Sequence, residues 1–497
     1  MTLSYLNSTD VLPVFDRLEI GPVKVESRRI IAPYRLFYRD TVESIDLIYS
    51  YEERVFDPKD PACQNLANMI AAQVALNYGL FTHRLVFHGY FDSLDQRFIR
   101  QMAENTAREI YVKKFLEPNP FLVDDAALLK LYPESKKNYL HARLEFPESD
   151  EIPDLTRIVP WNTETKRCAV LSSGGKDSLL SFGLLDELGY ETHSIFGNES
   201  GRHWFTALNA YKYFKARVPH TARVWTNADR VFVWMLRHMP FIRQDFARLR
   251  SDEYPIRLWT VAVFIFGALP ILKKNGIARL VIGDEFDTTR RASFKGIPHY
   301  DGLYDQSTFF DNALSRYFRE KEWNVHQLSI LRPLSELLIE KILVNRYPHL
   351  QEHQVSCHAT HKKGDRVLPC GVCEKCRRIV GMLKALDSDP TRCGYSLDIV
   401  PQALKSFISK GVQQESACAN QVIHLLLQKN MVQLTPGEIK KLEPHPEVLN
   451  LRFDTDHSPI DMIPADLRQA LFRIYLQYAD GAVERENRQW VPCTSII

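Results

Sequence analysis

Two groups of residues in this chain have types and spacings that chemistry can use. The first is Ser173-Gly174-Gly175-Lys176-Asp177-Ser178, set between the apolar run Cys168-Ala169-Val170-Leu171 and a helical pattern that begins at Leu179. A buried strand, a tight glycine turn and a helix start are the expected local structure. Two glycines let the backbone approach a ligand without a Cβ clash. The uncapped N–H groups of a helix start, at its positive dipole end, favour an anion. Ser173 and Ser178 add hydroxyls and Lys176 a positive charge. The loop therefore reads as a phosphate cradle. It is not the common G-x-x-x-x-G-K-S/T type, because Asp177 stands where that type places its Mg²⁺-binding hydroxyl. The second group is Cys357, Cys370, Cys373 and Cys376. Four thiolates suit a closed tetrahedral Zn²⁺ site that clips the 357–370 loop to the helix after Cys376. An iron–sulfur cluster accepts the same ligands. His358 and His361 read as ordinary loop histidines.

Composition limits the alternatives. Lys plus Arg number 63 against 61 Asp plus Glu, so no polyanion-binding surface dominates. A local basic group surrounds the cysteines: Lys362, Lys363, Arg366, Lys375, Arg377 and Arg378. Its simplest role is to balance thiolate charge, and its sharper one is contact with phosphate or RNA. Four of the nine cysteines lie within 20 residues and the rest are scattered. That pattern reads as metal binding in a reducing compartment, hence a cytoplasmic protein. Met1 to Ile20 carries charges and Pro13 and does not read as a signal peptide. The longest apolar run, Leu258 to Leu272, is 15 residues with Gly267 and Pro270 inside it, which predicts a buried helix and no membrane partner.

The elements that must position these groups follow from periodicity. Residues 1–150 read as an α+β unit, a substrate cap or a structural domain, with strands at 35–39 and 45–51 and helices at 61–77 and 93–114. An acidic connector, 145–154, leads to a central domain at 160–390. There, strands at 168–171, 192–196, 222–225, 278–283 and 325–331 alternate with helices at 177–189, 203–215 and 256–274 and one opening at Pro333 and ending near Arg346. The expected fold class is α/β, a parallel sheet with helices on both faces. Ligands of such sheets bind at the carboxyl ends of strands. This nominates the 173–178 loop, the segment from Phe196 to Ser200, and Gly283-Asp284-Glu285. The polar stretch from Asp284 to Asp311 reads as an active-site lid, its acids on Mg²⁺ and Arg290 and Arg291 on phosphate or a substrate carboxylate. Residues 395–497 read as helical, without a chemical motif.

The Ser173–Ser178 stretch resembles the Ser-Gly-Gly-x-Asp-Ser loop of the PP-loop ATP pyrophosphatase superfamily, which has an adenine nucleotide alpha hydrolase-like fold. Over residues 168 to about 385 the chain is similar to two of its families. One is 7-cyano-7-deazaguanine synthase, with the same loop, a Pro-Leu helix start like Pro333-Leu334 and a four-cysteine zinc site. The other, which looks closer, is the ATP-dependent UDP-N-acetylmuramoyl-L-alanyl-L-glutamate epimerase. It has a Leu-Arg-Pro-Leu-Ser-Glu-Leu stretch like Leu331 to Leu337 and a cysteine run like Ser356-Cys357 and Cys370 to Cys376. The resemblance implies ATP, Mg²⁺ and Zn²⁺ as cofactors. It implies cleavage of ATP between the α and β phosphates and transfer of AMP to a substrate carboxylate, with epimerisation of the terminal L-Glu of UDP-MurNAc-L-Ala-L-Glu in peptidoglycan precursor synthesis as the first candidate. It further implies that Ser173, Gly174, Gly175 and Ser178 hold pyrophosphate, that Lys176 and Asp177 position phosphate and Mg²⁺, that the 194–198 segment with Ile195 and Phe196 seats adenine, and that Gly283 also contacts the cofactor. Asp284, Glu285 and His299 are candidates for the epimerising base. The alternatives are synthase-like amide and nitrile formation, modification of a nucleic acid or protein, including in a defence system, and a scaffold that has lost ATP cleavage. The partner expected first is a small-molecule carboxylate; the oligomeric state is not legible.

Overall fold

The computed structural model describes residues 11–123, 133, 135–149, 159–199, 201–249, 254–300, 303–412, 415–494 and 496. Residues 150–154 of the expected connector, Ser200, Asp301 and the first ten residues of the leader reading lie outside the described residues.

The strands of the main sheet are β1 (Phe15–Ile20), β2 (Lys24–Glu26), β3 (Arg29–Tyr38), β4 (Thr41–Tyr51), β5 (Thr82–Phe87), β6 (Arg143–Glu145), β7 (Glu164–Ser172), β8 (Glu191–Asn198), β9 (Ala222–Thr226) and β10 (Ile277–Val281). A separate hairpin, β11 (Arg291–Phe294) and β12 (Ile297–Tyr300), precedes the last strand of the main sheet, β13 (His326–Leu328). The order across the eleven-stranded sheet is β13-β10-β7-β8-β9-β4-β3-β1-β5-β6, with β2 on β3. Its first five strands are mutually parallel. The protein is thus a mixed α/β fold with a large, mostly parallel central sheet.

Helices cover both faces because the strands alternate. On β7, Cys168 and Val170 enter one apolar cluster and Ala169 the other. The Ala169 face carries α1 (Pro61–Ala75), α2 (Ser93–Ile110), α5 (Ala228–Arg237), α6 (Val261–Asn275) and α7 (Thr308–Glu320). The other carries α3 (Lys176–Glu187), α4 (Arg202–Arg217), α8 (Glu336–Arg346), the short α9 (Pro348–Gln351) and a late helix, Ala465–Tyr475. The apolar run expected as a buried helix is α6, and no helix among the described residues is long and apolar enough to cross a membrane.

The strands of the first 150 residues continue the central sheet: β4 pairs antiparallel with β9, Tyr49 opposite Thr226 and Tyr51 opposite Val224. The two tyrosines reach across to α6, where Tyr49 Oη donates to Val263 O at 3.2 Å and Tyr51 Oη to Gly267 O at 3.0 Å. Gly267 makes this approach possible, since a Cβ there would stand 2.8 Å from the Tyr49 ring. What would be an exposed edge at β9 is covered, and one apolar cluster runs from Leu12 to Val325.

The last hundred residues are helical as expected in α11 (Val400–Lys410) and α12 (Ser416–Gln428), which pack with α10 (Glu374–Ala385) in a third apolar cluster. They also contain a three-stranded sheet, Leu451–Phe453, Ala482–Glu486 and Gln489–Pro492. Its hairpin turns at Asn487 and Arg488, both at positive φ, so the turn lacks the glycine that would mark it in sequence.

Candidate active site

β7 ends at Ser172 and α3 begins at Lys176, so the loop between them lies at the carboxyl end of the parallel strands. Gly174 has φ +73°, and a Cβ there would stand 3.0 Å from Ala207 Cα and 3.1 Å from Thr206 O on α4. Only glycine fits a left-handed turn pressed that closely on a helix. The serine hydroxyls brace the loop: Ser178 Oγ donates to Gly175 O at 3.1 Å, and Ser172 Oγ donates to Ser178 Oγ at 3.3 Å. Ser173 is exposed. Whereas side chains cap α1, α2, α7 and α8, none caps α3. Gly283, just past β10, lets α3 approach, because a Cβ there would fall 2.6 Å from Asp177 Cβ and 3.2 Å from Ser178 N.

Lys176 is 5% exposed and lies 2.7 Å from Asp177 Oδ1 and 3.6 Å from Glu336 Oε1. Burial opposes its charge, but the carboxylates of Asp177, Glu336 and Glu285 outweigh burial and raise its pKa. Glu336 opens α8 and also lies 3.5 Å from Arg378 Nη1 on α10. Burial and then neighbouring Glu336 push the Glu285 pKa far above the carboxylate range, whereas Arg378 and Lys176 overcome burial at Glu336 and lower its pKa. A hydrogen bond with Glu285 adds to the lowering at Glu336. Glu285 Oε2 is buried without a hydrogen-bond partner, a group poised for something outside the chain.

The structure divides the other expected residues. Asp284 is 1% exposed and lies 3.5 Å from Arg332 Nη2, which also donates to Asp311 Oδ2 at 2.5 Å. Arg332 Nη1 donates to Thr288 Oγ1 at 2.7 Å and to Gln306 O at 2.9 Å. Ile195 and Phe196 are fully buried on opposite faces of β8, so a ligand at the end of β8 meets their backbone and not their side chains. Arg291 lies over the Phe309 ring at 3.9 Å, and His299 Nδ1 lies 3.2 Å from Tyr300 O. Both belong to the β11–β12 hairpin, and among the described residues neither is hydrogen-bonded to the 173–178 loop.

The polar stretch expected as a lid is folded into the body, which corrects the assignment of its acids to Mg²⁺. Asp305 Oδ2 accepts from Thr260, Val261 and Ala262 N at 2.7, 2.7 and 3.2 Å and so starts α6 at 261 rather than at 256. Asp287 accepts from Arg452 Nη2 at 2.9 Å, and Thr308 Oγ1 donates to Asp456 O at 2.9 Å. The strand at Leu451–Phe453 thereby ties the last hundred residues to this stretch. Its charge reflects internal pairing, a pattern that composition cannot distinguish from solvation.

Glu109 of α2 anchors the hairpin by accepting from Tyr300 N at 2.8 Å. Burial pushes its pKa up to about 7. A carboxyl whose pKa is raised on folding gives stability that is fully present below the unfolded value, about 4.3, and is lost as pH rises to the folded one. Urea melts should therefore show wild type losing about 3 kcal/mol from this group between acid and neutral pH, and Glu109→Gln should remove that loss. Parallel pH profiles of the two proteins would refute the assignment.

Site residues missed from sequence are Glu336, Arg332 and Arg452, and Arg378 was read only as one of the basic group around the cysteines. The carboxyl-end rule applied to β13 would have reached Arg332 and Glu336; no local pattern marks Arg452.

The cysteines form a compact cluster. Sγ–Sγ separations are 3.9 Å for Cys370–Cys376, 3.9 Å for Cys357–Cys373 and 3.4 Å for Cys373–Cys376. Tetrahedral Zn²⁺ with bonds of about 2.3 Å sets its sulfurs roughly 3.8 Å apart, so the residues fit this ion. Cys357 Sγ accepts from Ala359 N and Cys370 N, each at 3.2 Å, as a thiolate would. Pro333 does not open α8; Ser335 caps it by accepting from Leu338 N at 3.1 Å. No protein-family model and no curated protein matches this chain.

Proposed function

We propose that the chain is an ATP-dependent, AMP-forming enzyme of the PP-loop type that activates a substrate carboxylate. The observation that carries this reading is the uncapped start of α3 under the left-handed Gly174 turn, with buried, positively charged Lys176 beside it. In this reading the backbone N–H groups of the loop and Lys176 hold the β and γ phosphates, and Asp177 would hold Mg²⁺. A carboxylate oxygen of the substrate attacks the α phosphorus, the bond from that phosphorus to the bridging oxygen breaks, and pyrophosphate leaves with the electron pair. The chain contributes position and charge to this in-line displacement.

The test is product analysis with ATP and Mg²⁺. Offered UDP-MurNAc-L-Ala-L-Glu, the epimerase reading expects AMP, pyrophosphate and D-Glu after hydrolysis. AMP without D-Glu retains carboxylate activation and dismisses that substrate. No AMP with any carboxylate supplied would overturn the proposal.

A further inference from the structure

At the opposite end of the sheet, about 20 Å along β8 from the loop, three metal-ligating side chains converge. We propose that Glu191, His193 and His220 form a second site, for a divalent transition metal such as Zn²⁺ or Ni²⁺. Glu191 and His193 stand two apart on β8 and so share a face. His193 is 3% exposed, and its Nε2 lies 2.8 Å from Glu191 Oε1. His220 lies in the turn before β9, its ring stacked on that of His193 with centroids 4.5 Å apart. One ligand atom from each residue lies within 4.8 Å of the others. Cis ligands bound at about 2.0–2.1 Å stand roughly 2.9–3.4 Å apart, so small side-chain shifts bring all three onto one ion. Arg167, opposite Glu191 in the β7–β8 register, donates to its carboxylate at 3.2 Å and to Asn275 O at 3.2 Å. It fixes the carboxylate from behind, as groups around a metal's ligands commonly do. The three residues line a cavity of about 710 Å³ that also takes in Trp161 and Lys273. Two imidazoles and one carboxylate are a donor set for borderline metals, and three protein ligands leave positions open to that cavity. This site is independent of the phosphate loop and of the cysteine cluster.

Calorimetric titration of ZnCl₂ and of NiCl₂ into protein whose cysteine cluster is already filled tests it. Wild type should take up one further equivalent of metal, and Glu191→Gln and His220→Asn should abolish that equivalent. His220 is exposed and has φ +60°, a conformation that asparagine tolerates, so this variant keeps the fold even if His193→Ala does not. Arg167→Met should weaken the equivalent about 10-fold. The proposal is overturned if wild type takes up no further metal, or if the uptake survives in both Glu191→Gln and His220→Asn.

Discussion

Lys176→Met should lower AMP formation by about 10²–10³-fold or more, the loss typical of one preorganised charge at a phosphoryl transition state. The side chain is 5% exposed and ringed by Asp177, Glu336 and Glu285, so no other cation replaces it from solvent. The same substitution leaves Glu336 buried with Arg378 alone, and breaking a buried pair costs about 3–5 kcal/mol. Activity could therefore fall simply because the protein unfolds. Lys176→Met combined with Glu336→Gln separates the two effects. The neutral amide removes the orphaned charge, so the melting temperature should recover while AMP formation stays low. If the double variant regained activity along with stability, Lys176 would be a structural residue and the phosphate reading of the loop would lose its charge.

Removing the metal from the cysteine cluster should have the second-largest effect, and it should reach the candidate active site. Metal binding energy in such a cluster is folding energy. Cys357 and Cys376 are buried in the apolar cluster that joins α10, α11 and α12. Arg378 stands two residues past Cys376 on α10, where it faces Glu336. Without the metal, four thiols must share a space built for thiolates, and the 357–370 loop loses its hold on α10. Chelation, or Cys370→Ser, should raise hydrogen exchange in α10–α12 while α1 and α6 stay protected, and should reduce AMP formation through the loss of Arg378. Elemental analysis should find about one zinc per chain in the cysteine cluster of Glu191→Gln. A brown protein would replace zinc by an iron–sulfur cluster, and unchanged exchange after chelation would remove the structural role.

The glycine turn before α3 and the cysteine cluster were legible because each is local: Ser173 to Ser178 and Cys370 to Cys376 specify their geometry within a turn or two of chain. The parallel strands were legible for a similar reason, since β7, β8, β9 and β10 are short apolar runs separated by helical patterns. The pairing of β4 with β9 was not, because backbone hydrogen bonding between edges leaves no signature in either strand, and the tyrosines that seal it read only as strand formers. The polar stretch after Asp284 shows the same limit at the level of charge. Asp287, Asp305 and Asp311 meet Arg452, the start of α6 and Arg332, partners 165, 43–45 and 21 residues away. The sequence by itself determined which loop turns tightly into a helix start, which cysteines can share a metal and which segments alternate as strand and helix. The tertiary structure decided which carboxyls gather beside Lys176, which are neutralised by distant arginines, and that Glu191, His193 and His220 meet at all. Propensity and spacing act over a few residues, whereas burial and ion pairing depend on what the fold brings alongside.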